Sequence, residues 1–245
     1  MRTEHRPGTE KPDDLAVSLD DRLVTTPPPD LTTRERIRAT LDMRFVDHGL
    51  IRDIYCNLHR VTDSVWRSAQ PAPHHLRHAK KLGIRTVVNL RGQRDDCGSY
   101  ILEREACHEL GLKLVNFPIS SQRALSKQTL HAAAAMFSCL EYPVLFHCKS
   151  GADRVGLIST LYLFLHEGWP LKRAMRQLSL WYGHVAQART GVIDYFFARF
   201  LNETQDQPMP FLQWVDDRYD PSELNASFKE NWLARFIVKD VLRRE

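Results

Sequence analysis

The chain has 245 residues, 43% of them hydrophobic and 26% charged, which suffices for one sizeable core or one domain with extensions. Its net charge is +4, but residues 1–30 carry four basic and seven acidic side chains, so that segment is −3 and the remainder +7. A mildly basic body suits an anionic substrate and makes no case for nucleic acid on its own.

Other exclusions follow from the sequence. The longest apolar run, Val155 to Leu165, matches a buried helix and falls short of a membrane span. The opening "MRTEHRPGTEKPDDL" has no apolar stretch of the secretory type. Five cysteines, at 56, 97, 107, 139 and 148, include no CxxC pair. That argues against a disulfide framework or a zinc knuckle and for a reducing, cytoplasmic setting.

In chain order, residues 1–32 read as an acidic, Pro-rich tail with few large apolar residues. Order is expected from "TTRERIRATLDMRFVDHGL", where Thr32 or Thr33 can cap a helix and Ile37, Leu41 and Phe45 recur at helical spacing. Strands and helices then alternate. "VWRSAQP" reads as a short strand, "PHHLRHAKKLG" as a helix ended by Gly83, and "IRTVVNL" as a β-branched strand. "SYILEREACHELG" is a helix ended by Gly111, "LKLVNFPI" a strand, and "SKQTLHAAAAMFSCLE" a helix capped by Ser126. "PVLFHC" contains no charge, as befits a central strand. "ADRVGLISTLYLFLHEG" opens a helix straight after it, and further helices are expected over 170–181 and 187–202. This order predicts an α/β sandwich of three layers around a mostly parallel sheet of four to five strands. Residues 33–205 would form the domain, with its core at about 60–200, and 206–245 a helical C-terminal extension. In the latter, Phe228, Trp232 and Phe236 recur every four residues beside Arg235, Lys239, Arg243 and Arg244. That helix can pack on its own domain or, over 226–245, touch a partner or a membrane surface.

The stretch "VLFHCKSGADRVGL", Val144 to Leu157, carries the chemistry. A strand delivers His147 and Cys148 to a loop of small and polar residues, and a helix follows at once. Such a loop can turn its backbone N–H groups inward, and the helix N-terminus adds positive potential. Residues Lys149, Ser150, Gly151, Ala152 and Asp153 would then cradle a tetrahedral dianion, with the planar fork of Arg154 gripping two of its oxygens. The same field stabilises a thiolate at Cys148, a nucleophile aimed at phosphorus. His147 is expected to hold the loop through hydrogen bonds to backbone.

"HCKSGADR" resembles the His-Cys-x5-Arg signature of cysteine-dependent protein tyrosine and dual-specificity phosphatases, matching at His147, Cys148, Gly151 and Arg154. "VWRSAQP" and "GIRTVVNLRG" resemble the N-terminal strands of the atypical dual-specificity branch found in bacteria, fungi and plants. The resemblance covers about residues 60–200. It implies a phosphatase-like fold and hydrolysis of phosphate monoesters through a cysteinyl-phosphate. Neither a metal nor another cofactor is needed, because the cradle and Arg154 carry the charge stabilisation. A phosphorylated protein, or a small or lipid phosphate, would be the substrate. A lipid or inositol-phosphate phosphatase at the membrane surface and a phosphate-binding pseudophosphatase are the alternatives.

Three departures from that family's pattern bear on the mechanism. The loop that usually supplies an aspartic acid, "NFPISSQRALS", has no Asp or Glu, and Ser120 or Ser121 stands near the expected place. Asp153 offers a replacement, since Cys-x-x-Gly-x-Asp-Arg resembles the loops of myotubularin lipid phosphatases and related bacterial enzymes, where that Asp is the proposed acid. It can equally act as a helix cap. Asp95 and Asp96 are weaker candidates. Val155 stands where the family commonly has Ser or Thr, leaving Ser150 or Ser159 as substitutes. Lys149 resembles the lysine of phosphoinositide phosphatases, though Ala152 replaces their second one.

Elsewhere, Arg91 follows a strand end on the side where open α/β sheets bind ligands. It is expected either to contact substrate or to pair with Glu103 or Glu105. Arg67 and Gln70 are expected to hold loops together. His184 lies either at the pocket rim or in a structural turn at Gly183. Cys97 is expected in an exposed loop.

Overall fold

Five short strands form one sheet in the computed structural model, which describes residues 28, 30–47 and 56–230. They are β1 (His59–Arg60), β2 (Val65–Ser68), β3 (Thr86–Asn89), β4 (Lys113–Asn116) and β5 (Val144–His147). The spatial order is β1-β2-β5-β3-β4. Only β1 runs antiparallel; β2, β3, β4 and β5 are mutually parallel. The charge-free β5 is buried throughout and lies between β2 and β3, as its composition predicts.

Side chains alternate between the two faces of this sheet. Val88, Val115 and Phe146 enter the larger core, while Val87, Leu114 and Leu145 enter the smaller one. Helices α2 (Pro73–Lys81) and α3 (Gly98–Glu109) close the smaller core through Leu76, Ala79, Tyr100 and Ala106. The larger core is closed by α4 (Lys127–Cys139), α5 (Asp153–Leu161), α7 (Val192–Glu203) and α8 (Phe211–Asp217). The expected layered α/β arrangement is thus present. The helices after residue 206 join the larger core, with Trp214 fully buried and Leu224, from the helix over 221–230, beside it.

Several elements differ from expectation. The segment expected as a helix over 170–181 is one turn, α6 (Leu171–Ala174), followed by 3-10 turns at Met175–Gln177 and Leu180–Tyr182. The buried guanidinium of Arg67 takes the Gln177 carbonyl, where a continuing helix would need that acceptor for its own amide. The helix after the signature loop widens at its C-terminal end into a π turn, Tyr162–His166. The helix expected over 187–202 begins later, at Val192, behind a 3-10 turn at Arg189–Gly191. Strand β1, two residues long, is too short to leave a periodic pattern.

Helix α1 (Thr33–Leu41) forms with Thr32 as its cap and Glu35 completing a capping box. Its expected apolar stripe faces outward: Ile37, Leu41 and Phe45 are exposed, while Ala39 and Met43 pack with Ala72 and Leu102. A small-residue face lets α1 lie close to α3, where the Ala39 backbone already fills the space that a side chain at Gly98 would need. Residues 1–27 and 29 of the expected tail over 1–32, and Trp232, Phe236 and the basic residues of the C-terminal stripe, lie outside the described residues. No helix among the described residues is long and apolar enough to cross a membrane.

Candidate active site

The signature loop leaves β5 at the carboxyl edge of the sheet and ends at α5, the position where open parallel sheets accept ligands. Its shape is set by what holds its carbonyls. The Lys149 carbonyl accepts from the Gln70 amide, the Ser150 carbonyl from Asn57 Nδ2 at 3.0 Å, and the Gly151 carbonyl from Arg67 Nη2 at 2.8 Å. The Ala152 carbonyl accepts from Arg67 Nη2 and from the Gly156 amide. With these oxygens engaged from outside, the amides are left for the interior of the curl. None of the amides of residues 150–154 donates to a group among the described residues. Gly151 is left-handed, with φ +74°, and a Cβ there would lie 2.7 Å from the Ala69 nitrogen. Cys148 is buried at the start of the curl.

Two arginines serve this loop in different ways. Arg67 is fully buried, divides its guanidinium among Gly151, Ala152 and Gln177, and stacks on Tyr182 with its carbon 3.9 Å from the ring centroid. Burial pulls its pKa down to about 10, against the upward pull of Tyr182, Cys148 and Asp153. Strand register pairs Arg67 with Phe146, two residues before the cysteine. Arg154, in the first turn of α5, has a buried Nε with no hydrogen-bond partner among the described residues. Arg67 Nε is likewise unpartnered, but its two terminal nitrogens are built into the scaffold.

Behind the loop runs a chain of buried polar groups. His147 Nε2 approaches Glu103 Oε1 at 2.5 Å, with both side chains fully buried. Glu103 Oε2 accepts from Gln70 Nε2, and Gln70 Oε1 accepts from Arg91 Nη1. Arg91 binds Asp47 through both terminal nitrogens, at 2.8 and 3.0 Å. Asp47 also accepts from the Ser99 hydroxyl and lies 3.5 Å from Lys149 Nζ. The expected pairing of Arg91 with Glu103 or Glu105 is replaced by this Asp47 pair, and its side chain is only 4% exposed. Burial works against the Arg91 charge, but the Asp47 carboxylate outweighs it and raises the pKa. With its terminal nitrogens taken by Asp47 and Gln70, Arg91 is a brace behind the loop.

Asp153 does not cap α5. It is the first helical residue, after Ala152, and its Oδ1 lies 2.7 Å from His184 Nδ1. The other ring nitrogen, Nε2, lies 2.7 Å from Asp194 Oδ2 at the start of α7. Burial alone would lower the His184 pKa, but the two carboxylates prevail and raise it to about 9. A carboxylate oxygen at each ring nitrogen suits the imidazolium form, in which both nitrogens donate. It is 1% exposed, between two carboxylates that are 25% and 29% exposed.

The remaining expected residues separate. Ser159 is buried one turn along α5 from Val155, its hydroxyl without a partner among the described residues. Ser150 is exposed on the loop, and Ser120 and Ser121 are half-buried after β4. Asp95 pairs with Arg104 at 3.3 Å. Cys97 is buried at the N-terminus of α3 rather than exposed. Asn57, Asp47 and Asp194 are not singled out by the sequence, and Glu103 is named there only as a partner for Arg91. Asn57 carries a signal only in the backbone, a positive φ of 49°.

Comparison with known proteins gives a family and relatives. Residues 55–188 match the model of a family described as a DSP-PTPase phosphatase fused to NAD+ kinase. The chain is 27% identical over 123 residues to the dual specificity protein phosphatase TpbA of Pseudomonas aeruginosa strain UCBPP-PA14, covering 50% of this chain and 53% of that protein. The corresponding protein of strain PAO1 is 26% identical over the same length. The chain thus spans about half the length of the curated relatives it matches. Among solved structures, it resembles that of P. aeruginosa TpbA with 20% identity and a TM-score of 0.47, covering 71% of this chain and 92% of the other. It also resembles the crystal structure of PTPMT1 with 15% identity and a TM-score of 0.44, covering 61% and 99%.

Proposed function

The chain belongs to the family of DSP-PTPase phosphatases described as fused to NAD+ kinase, within the cysteine-dependent dual-specificity superfamily, and from that membership we propose that it hydrolyses phosphate monoesters at Cys148. The Cys148 sulfur attacks phosphorus, the bond to the leaving oxygen breaks, and Asp153 protonates that oxygen. Water then attacks the cysteinyl-phosphate, gives a proton to Asp153 and releases inorganic phosphate with the thiolate restored. The amides of the loop Lys149–Arg154 and the Arg154 guanidinium hold the phosphoryl oxygens through both steps. His147 stands behind the loop against Glu103, and neither ring nitrogen makes the expected hydrogen bond to loop backbone among the described residues. The substrate is a phosphorylated protein or a small or lipid phosphate.

One observation carries this reading. The carbonyls of residues 149–152 are all engaged from outside the curl, leaving the amides of 150–154 and the Arg154 Nε without acceptors among the described residues, around a buried cysteine. Such an inward set of donors at a helix N-terminus is made for a tetrahedral anion. The test is hydrolysis of an aryl phosphate by the wild type and by Cys148→Ser. Turnover in the wild type that the serine variant abolishes is expected. Equal turnover in both, or none in the wild type, overturns it.

A further inference from the structure

We propose that His184 is a positioning residue for this reaction: clamped by Asp194, it holds the carboxyl of Asp153 at the cradle and supplies the positive charge against which Asp153 gives up and takes back its proton. This rests on the Cys148 phosphatase reading. It assigns a task to two residues outside the signature, 31 and 41 positions beyond Asp153.

The geometry is specific. Both ring nitrogens of His184 lie 2.7 Å from a carboxylate oxygen, one on each side. The ring is 1% exposed, which shields its own nitrogens from solvent. The left-handed Gly183 at the preceding turn brings the chain against Ala152 of the loop itself. The turn before it is fixed by Arg67, which stacks on Tyr182 while holding Gly151. The charged groups around the pair are Asp153 at the start of α5, Asp194 at the start of α7, and Arg67 from β2, whose charge acts on Asp153. Asp153 keeps a quarter of its side chain exposed, which leaves it a route to a leaving group.

The chemistry balances without His184 changing protonation. The step starts from the form in which Asp153 has taken a proton from water, a form that the neighbouring imidazolium confines to the acid side of the pH range. As the S–P bond forms and the P–O bond breaks, that proton moves to the leaving oxygen, and the carboxylate that remains faces the imidazolium Nδ1–H. When water attacks phosphorus, one of its protons returns to Asp153 and the S–P bond breaks. Through both steps Asp194 accepts from Nε2, so the ring cannot turn away.

The test compares kcat/KM for an alkyl phosphate and for a nitrophenyl phosphate, across pH, in the wild type, His184→Gln, Asp194→Asn and Asp153→Asn. An alkyl leaving group needs the proton; a nitrophenolate does not. His184→Gln is expected to lower kcat/KM for the alkyl substrate by roughly 10- to 100-fold, part of what a general acid contributes, with at least about tenfold less effect on the nitrophenyl substrate. The pH profile should also move upward, because a carboxyl deprived of a neighbouring cation holds its proton to higher pH. Asp194→Asn should change both readouts in the same direction by less. Combined with Asp153→Asn, His184→Gln should add no further loss. Equal losses on both substrates with an unmoved profile, or full additivity with Asp153→Asn, overturn the proposal and leave the Cys148 reading standing. A wild type inactive on both substrates overturns both. Should His184→Gln fail to fold, the substrate ratio and pH profile of Asp194→Asn decide the question.

Discussion

Arg67 Nη2 donates to the Gly151 carbonyl at 2.8 Å from a strand position with no solvent exposure. The signature loop is therefore shaped from the neighbouring strand, by a cation with no exposure to solvent. The same guanidinium takes the carbonyls of Ala152 and Gln177, so one side chain links β2, the signature loop and the rim turn.

Arg67→Met is expected to destabilise the protein by about 2 kcal/mol or more, since a carbonyl left without a donor costs about 1–3 kcal/mol and those of Gly151 and Gln177 lose theirs, while Ala152 keeps the Gly156 amide. It should also weaken binding of inorganic phosphate or vanadate, because the loop amides lose their fixed direction. Arg67→Lys restores charge without the fork and should recover only part of the loss. Thermal unfolding together with anion titration checks this; a stable Arg67→Met variant with unchanged anion affinity would refute it.

Gly151→Ala tests the loop itself. The residue sits at φ +74°, and its new methyl would meet the Ala69 nitrogen and the Ser68 carbonyl carbon at 2.7 Å. Both neighbours are strand-end backbone, so neither can swing aside. Turnover and phosphate binding should fall together, with a loss of stability of at least about 1 kcal/mol, as expected for a side chain forced into that region. Wild-type turnover in Gly151→Ala would show that the curl is not required in this form.

The sequence makes legible what lies within one contiguous stretch. Val144 to Leu157 spells out strand, loop and helix in order, and the central place of β5 follows from its lack of charge. What it hides are contacts between distant residues. Arg67 reaches its loop acceptors across 84 and 85 positions, and Asn57 reaches Ser150 across 93. These depend on strand register and on where a turn returns, and periodicity encodes neither. A charge inside the short strand "VWRSAQP" was the one available sign that Arg67 is structural. The outward stripe of Ile37, Leu41 and Phe45 shows the converse, a helical period that gives the element but not the face it buries.

The Asp47–Arg91 pair supplies a third prediction. Both side chains are under a tenth exposed, and removing one partner of a buried ion pair costs about 3–5 kcal/mol. Asp47→Ala should lower the unfolding temperature accordingly and free Lys149 from its nearby carboxylate. Arg91→Met should be similarly destabilising yet leave KM for a small aryl phosphate within about twofold, the signature of a brace rather than a ligand contact. A rise in KM without loss of stability would return Arg91 to the substrate.

The raised pKa of His184 turns stability into a function of pH. Its folded value of about 9 lies above the ordinary 6.5, with the Asp153 and Asp194 carboxylates outweighing the opposing effect of burial. A group raised in this way contributes its full stabilisation below pH 6.5, where both folded and unfolded forms are protonated. Above that the unfolded chain gives up the proton first, and the contribution fades until pH has passed through about 9. The wild type should therefore lose stability between pH 6.5 and 9, with a slope of up to about 1.4 kcal/mol per pH unit from this group. His59 does not counter the trend, because burial and Arg67 lower its pKa and place its effect on the acid side of 6.5. In His184→Gln the slope across this window should flatten, and the variant should differ most from the wild type near pH 6.5 and least near 9.5. Unfolding curves at pH 6.5, 8 and 9.5 for the two proteins measure this directly. Parallel slopes would mean that the ring is not charged between its two carboxylates, and the charge assigned to it at the cradle would fall with that result.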